Sequence, residues 1–368
     1  MLMKMNPKIK RLFTIFSIGC LTSTNFFCGK PALREEELPA ETVDTLISAK
    51  NETKGLYVLY EGIFALKAST LSYFDIESRQ LLPRYNFGVH ATDMLWYGSK
   101  LYIVMALSGV VDISDPLSKK SIKSVRYKNI VYDGVPHDYV AAYKNNIFIS
   151  SSEGKVAVID TASLEISNFI ELGTIPQQMV VFDGKLFVSN PYKPGSSFDS
   201  TISVIDLKTL KEERKITIGT NPNAIASDGK GNLFVSYGTG DPSGSQGIVK
   251  INTLSNEINQ VVDTAAGIVR YFNDKLFFTG GYLNNQTVKV LELNNINKGS
   301  SEFITDGTFI TRPYALNVDE SNGDVYIGDA ENEIGGATIY CFDKFGKKKF
   351  SFYDPSGIKP NTFVFYQQ

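Results

Sequence analysis

Histidine, tryptophan and cysteine are nearly missing from this chain: 368 residues hold two His, one Trp and three Cys. Two histidines leave most zinc and acid–base sites without ligands or bases, so the sequence predicts no metal, no cofactor and no enzyme. Only Cys341 lies beyond Cys28, which excludes a disulfide framework in one folded domain. Neither sign of charge is in excess, with 37 Lys+Arg against 39 Asp+Glu. That balance offers no basic footprint for nucleic acid. Long apolar runs are also lacking, because LFTIFSIGCL from Leu12 is too short and too interrupted by Thr and Ser to span a bilayer. Aromatics are plentiful, at 24 Phe and 19 Tyr, as many half-buried strands require.

The N-terminus reads as an export signal over residues 1–28. Lys4, Lys8, Lys10 and Arg11 precede the apolar run, which contains Cys20 and closes near Cys28. The arrangement resembles a bacterial lipoprotein signal, in which an acylated Cys becomes the mature N-terminus. Cys20 follows the small residue Gly19 but a short apolar run; Cys28 follows a better length but also Phe27. The balance falls slightly toward Cys20. Residues 29–54 are charged and lack strand alternation, and so predict a flexible tether that reaches roughly 85–95 Å when stretched. The membrane would be met only through the lipid, at the outer membrane, on its surface or periplasmic side.

Residues 55–368 carry an internal repeat. A tight turn followed by an apolar–aromatic–aliphatic triplet recurs at Leu56, Leu101, Ile147, Leu186, Leu233, Leu276 and Val325, a period of roughly 45 residues. Each triplet leads to a second strand that usually ends in an acidic or amide residue, as in VAVIDTAS and ISVIDLKT. A third strand follows, and a fourth runs into the next turn. The pattern predicts an all-β, seven-bladed β-propeller with four antiparallel strands per blade. The first unit lacks a fourth-type strand before Leu56, whereas the chain ends on one at Pro360–Phe365, so the C-terminal strand should complete the first blade. Asp75, Asp160 and Asp206 are expected to cap turns, and Trp96 to join the core.

In such a meander the connections alternate between two faces, and the long ones, YEGIFALKAST, NPYKPGSSFDS, YGTGDPSGSQG, GGYLNNQ and GDAENEIGGA, share one of them. The starts of the fourth-type strands meet them there: Thr92, His137, Gln177, Asn223, Ala266, Tyr314 and Asn361, each followed by Asp93, Asp138, Gln178, Ala224, Gly267, Ala315 and Thr362. With Tyr60, Asn190, Tyr192, Tyr237, Tyr282, Asn284, Arg312 and Asp329 they predict an aromatic, amide-rich rim suited to a large, neutral, amphipathic ligand or a protein loop. His90 and His137 fall near equivalent positions of neighbouring blades, too little for a metal centre. GTGDPSG lacks the GK[ST] ending of a phosphate loop. Asp329, Glu331 and Glu333 read as a solvated acidic loop before a calcium site.

The repeat unit PQQMVVFDGKLFVSN…STISVIDLKTLKEERKITIG resembles YVTN-type, YncE-like propellers. With KGLYVLYEG, RPYALNVDESNGDVYIGDA and ATIYCFDKFGKKKFSFYDPSGIKPNTFVF, residues 55–368 resemble a family of surface lipoprotein propellers of Bacteroidetes-type bacteria. Some members capture cobalamin above an outer-membrane corrinoid transporter. The resemblance therefore implies a corrinoid ligand and a TonB-dependent outer-membrane transporter as partner. The contrasting expectation is a cell-surface scaffold or adhesin that uses the same face with no small ligand.

Overall fold

A computed structural model describes residues 52–367 apart from 64–65, 89, 119, 130–136, 196, 239, 241–243, 256 and 281–286. The signal, both candidate lipidation cysteines (Cys20 and Cys28), nearly all of the tether, Tyr282 and Asn284 lie outside the described residues.

Twenty-eight strands form seven four-stranded antiparallel sheets among the described residues, the seven-bladed propeller that the repeat predicts. The innermost strands of blades 2 to 7 are Ala91–Tyr97, Val140–Tyr143, Met179–Phe182, Ile225–Ser227, Ala266–Phe272 and Pro313–Val318. The C-terminal strand Pro360–Gln367 is innermost in blade 1, where it pairs with Thr53–Tyr60 and brings Phe363 opposite Val58. These seven strands touch one another around a central bore. Blade 1 starts at Thr53, which is buried and opposite Gln367, so the folded unit takes in two residues that the sequence assigned to the tether. Blade 6 departs from the pattern: a 3₁₀ helix, Leu293–Lys298, replaces most of its outer edge and leaves the two-residue strand Ser301–Glu302.

Counted outward from the bore, the second strand of each blade is the one that carries the triplet, and it is apolar on both sides of its pleat because each sheet is covered on both faces by neighbouring blades. In blade 1, Leu56, Val58 and Tyr60 pack against blade 7, while Tyr57 and Leu59 pack against blade 2. The same alternation builds an apolar cluster at every junction around the ring. A large apolar side chain contributes roughly 1.5–3 kcal/mol when fully buried, so a junction of nine or more outweighs any polar contact in the bore. The junctions hold the ring, and the bore is left free to be polar.

Asp75, Asp160 and Asp206 cap tight turns, accepting the amides of Ser78 at 2.7 Å, Ser163 at 2.8 Å and Thr209 at 2.7 Å. Those bonds stabilise each carboxylate and hold its pKa below the ordinary value; for Asp206 the Lys185 ammonium leads. Trp96 joins the cluster between blades 1 and 2 and stacks on Tyr366 at 5.3 Å.

Candidate functional site

Strand direction divides the connections by face. Innermost strands turn tightly into second strands on one face, as at Gly98 and Gly184. The long connections after the second strands, and the links from one blade to the next, lie on the other. The mouth of the bore on this second face is built on a repeated irregularity. In blades 1, 2, 6 and 7 the innermost strand slips register at its start, where one residue is extra. In blade 4, Gln177 and Gln178 both bond Ser189; in blade 5, Asn223 and Ala224 both bond Ser236. Such bulges leave an amide off the ladder and re-aim a side chain. Hydroxyls recover three of the amides: Ser150 accepts Tyr139 N at 2.8 Å, Ser236 accepts Ala224 N at 3.0 Å, and Thr279 accepts Ile268 N at 2.9 Å.

Register fixes two layers of the bore. Thr362, Asp93, Tyr139 and Gln178, from blades 1 to 4, stand one position before the core residues Phe363, Met94, Val140 and Met179. Blades 5 to 7 place Ala224, Ile268 and Ala315 at the same level, where they pack into the blade junctions, so the polar side chains of this layer come from blades 1 to 4. Asn361, Thr92, Asp138, Gln177, Asn223 and Tyr314 precede this layer at the mouth. The register corrects the sequence alignment in blade 3, where Asp138 and Tyr139, in place of His137 and Asp138, hold the equivalent positions. In blade 6 it moves Ile268 into the position assigned to Gly267.

At the mouth an acid, two imidazoles and a phenol converge. Glu61 is buried and stands 3.1 Å from His90 Nδ1, while Tyr314 donates to its other oxygen at 2.6 Å. His90 is 1% exposed and holds a left-handed backbone at φ 61°, a conformation that costs a non-glycine residue about 1 kcal/mol or more. Its ring meets that of His137 edge-on at 5.5 Å. Burial pushes the Glu61 carboxyl up, but the contacts with His90 and Tyr314 outweigh it, leaving the pKa below the ordinary value. Burial holds the His137 pKa down against the attraction of Glu61. Lys359 lies 5.9 Å from the Tyr314 ring and 3.5 Å from Glu333, which also pairs with Arg312.

The sequence-predicted residues divide accordingly. His137, Gln177, Asn223 and Tyr314 lie partly exposed at the mouth. Arg312 flanks it, and Tyr192 is partly exposed at the end of the strand Lys185–Tyr192, stacked on Phe198 at 5.6 Å. Tyr60, Asp138, Asn190, Tyr237 and Asp329 are buried and serve the framework. Tyr60 and Tyr237 cover Gly357 and Gly219, where a Cβ would fall inside their rings. Asn190 donates to Thr201 and Ser203, and Asp329 accepts the amides of Thr311, Arg312 and Glu331. Asp138 accepts Lys128 Nζ and, at 2.5 Å, the Tyr127 hydroxyl; with both Lys128 and Asp138 buried, this is an internal ion pair. Thr338 donates to Glu331, so the acidic residues of the Asp329 loop bond to protein. Among the described residues no acidic, His or Cys cluster has metal-binding geometry.

Sequence reasoning missed Glu61, Lys128, Tyr139, Arg270 and Lys359 as site residues. Arg270 carried a signal, being the lone charge in the innermost strand AGIVRYF. Burial holds its pKa below the ordinary value.

The fold and bore define a β-propeller, a scaffold consistent with ligand binding or protein interaction. No protein-family model and no curated protein matches the sequence. A quinonprotein alcohol dehydrogenase-like protein from Bacteroides thetaiotaomicron VPI-5482 is similar over 86% of this chain and 79% of its own, at 15% identity and a TM-score of 0.63. Hydrazine synthase of Kuenenia stuttgartiensis aligns over 76% and 95%, at 15% identity and a TM-score of 0.57. The WD40 domain of Neurospora crassa Pan2 aligns over 85% and 89%, at 11% identity and a TM-score of 0.56. Likeness at such identities shows the fold alone.

Proposed function

We propose that this chain is an exported, lipid-anchored propeller that binds, without chemically transforming, a ligand seated over the mouth of the bore. The observation that carries the reading is the convergence of His137, Gln177, Asn223 and Tyr314 on one opening, backed by the buried Glu61–His90 pair. Binding is favoured over catalysis because Cys341 and the Glu61–His90 pair are withdrawn from solvent. Burial pushes the Cys341 thiol up to about 12, and the Glu61–His90 contact is enclosed by protein.

Within this reading the ligand is a corrinoid passed to a TonB-dependent outer-membrane transporter. The resemblance of residues 55–368 to surface lipoprotein propellers supports it, as does an amide and phenol rim that suits a broad ligand edged with amides. Equilibrium titration of the full chain with cyanocobalamin tests it. Binding at or below micromolar ligand is expected, and Tyr192→Ala should weaken it by roughly 1–3 kcal/mol. No binding at micromolar ligand removes the corrinoid.

A protein partner on the same face is the second reading. Leu66 and Ile334 are 79% and 66% exposed on connections of blades 1 and 7. They are chain neighbours of Lys67 and Gly335, which line a depression of about 330 Å³. Leu117, Leu254 and Phe345 are as exposed on the opposite face, so apolar exposure alone does not select this reading.

A further inference from the structure

On the mouth face, outward of Tyr60, the junction between blades 1 and 7 does not close. The third strand of blade 1, Thr70–Asp75, turns Phe74, Ser72 and Thr70 toward blade 7, since alternate residues share a face and Leu56, Val58 and Tyr60 stand opposite them. Phe74 stacks on Phe352 at 3.9 Å, and Ser72 donates to Asp354 Oδ2 at 2.8 Å. Thr70, the last of the row, is 7% exposed, and its hydroxyl has no hydrogen-bond partner among the described residues. At its level the two blades part around a depression of about 330 Å³.

Donors, carbon and a single charge line this depression. Thr70 and Asn86 are cross-strand partners on the blade 1 wall, and Ser356 stands on the link from blade 7. Lys67 is exposed at the rim; among the described residues it makes no ion pair, and no carboxylate lines the space. The Asp354 carboxylate lies beneath, fully buried, and accepts from Ser72 and, at 3.2 Å, from the Ser356 amide. Ala68, Pro355 and Ile358 supply the apolar part. The walls are fastened together, because Gly62 N donates to Ile358 O at 3.1 Å and Lys67 N to Ile63 O at 2.9 Å. A guest that answers this lining carries one negative charge, several acceptors and a short hydrocarbon body. A carboxylate offers about four lone-pair sites, enough for Lys67, Thr70, Asn86 and Ser356.

We propose that this depression binds a small aliphatic monocarboxylate, its carboxylate accepting from Lys67 and Thr70 and its carbon chain lying on Pro355 and Ile358. Thr70 exchanges its methyl and hydroxyl at the wall by one χ1 step. The pair with exposed Lys67 is screened by water and contributes little alone. The bond to Thr70 adds more, because it satisfies a buried hydroxyl that the protein itself leaves unbonded. The site lies outward of the mouth and is independent of what binds there.

Calorimetric titration of the full chain with hexanoate, butyrate, hexanamide and hexylammonium at millimolar concentration tests the site. Wild type should bind hexanoate about fivefold or more tightly than hexanamide, the neutral amide of the same length. It should bind hexanoate about tenfold or more tightly than butyrate, since each buried methylene is worth about fourfold. Hexylammonium should not bind. Lys67→Met should lose the preference for hexanoate over hexanamide. Thr70→Val keeps the shape of the side chain and should weaken hexanoate about fivefold or more. Its melting midpoint without added acid should stay level or rise, because the hydroxyl removed has no partner to leave behind. A threonine that served only the fold would lower that midpoint. No hexanoate binding, equal binding of hexanoate and hexylammonium, hexanoate binding untouched in both variants, or a lowered midpoint in Thr70→Val overturns the site.

Discussion

At the scale of the residue, enclosure decides what each polar group does. Lys128 and Asp138 are both buried, and removing either partner strands the other charge. Lys128→Met alone should cost about 3–5 kcal/mol, and joint replacement by Met and Leu much less, as chemical denaturation of the two variants will show. Tyr314→Phe deletes a hydrogen bond to a buried carboxylate and should cost about 1.5–3 kcal/mol by the same measurement. Asp93 gives a pH signature. Burial raises its pKa from 3.8 to about 6, against the bonds it accepts from Val140 and Met94. Between those values the folded chain holds a proton that the unfolded chain has released. The Asp93 contribution is thus fully present below pH 4 and lost as pH rises through 6, an expected decline of about 3 kcal/mol. The measurement is the difference between the pH–stability curves of wild type and Asp93→Asn. A flat difference from pH 4 to pH 6.5 contradicts the assignment.

The element scale shows what the sequence made legible. Leu56, Leu101, Ile147 and their equivalents gave away the second strands because both faces of each sheet are covered, which writes continuous apolar runs. The turn-capping aspartates were legible because an Asx turn is local. The bulges were not. A bulge inserts one residue without disturbing the apolar pattern on either side, so His137 was aligned where Asp138 belongs. Tyr60 and Tyr237 look like rim aromatics in sequence, and only the covering of Gly357 and Gly219 shows them to be packing residues. Glu61 and His90 lie 29 positions apart and meet only because blades 1 and 2 adjoin. The bulge itself is testable. Ser236→Ala removes the acceptor of the Ala224 amide and should cost about 1–3 kcal/mol, read as a lower denaturation midpoint with an unchanged slope.

At the scale of the molecule, the ring is closed by a strand from the far end of the chain. Pro360–Gln367 contributes buried Phe363 and half-buried Val364, Phe365 and Tyr366 to the junctions flanking blade 1. At roughly 1.5–3 kcal/mol for each fully buried side chain, removing the last eight residues forfeits several kcal/mol, comparable with the whole stability of an ordinary domain. The truncated chain should lose its cooperative thermal transition; an unaltered melt contradicts the closure. Closure also fixes the two faces, with tight turns on one and the bulged mouth with the long connections on the other. Recognition at that mouth is best tested by hydrogen exchange of the full chain with and without saturating cyanocobalamin. Slowed exchange confined to segments 60–63, 66–69, 86–88, 90–93, 137–140, 174–179, 190–195, 220–225, 311–316 and 358–362 is the expected result. Protection at the tight turns around Gly98, Gly184 and Asp274, or protection nowhere, contradicts it.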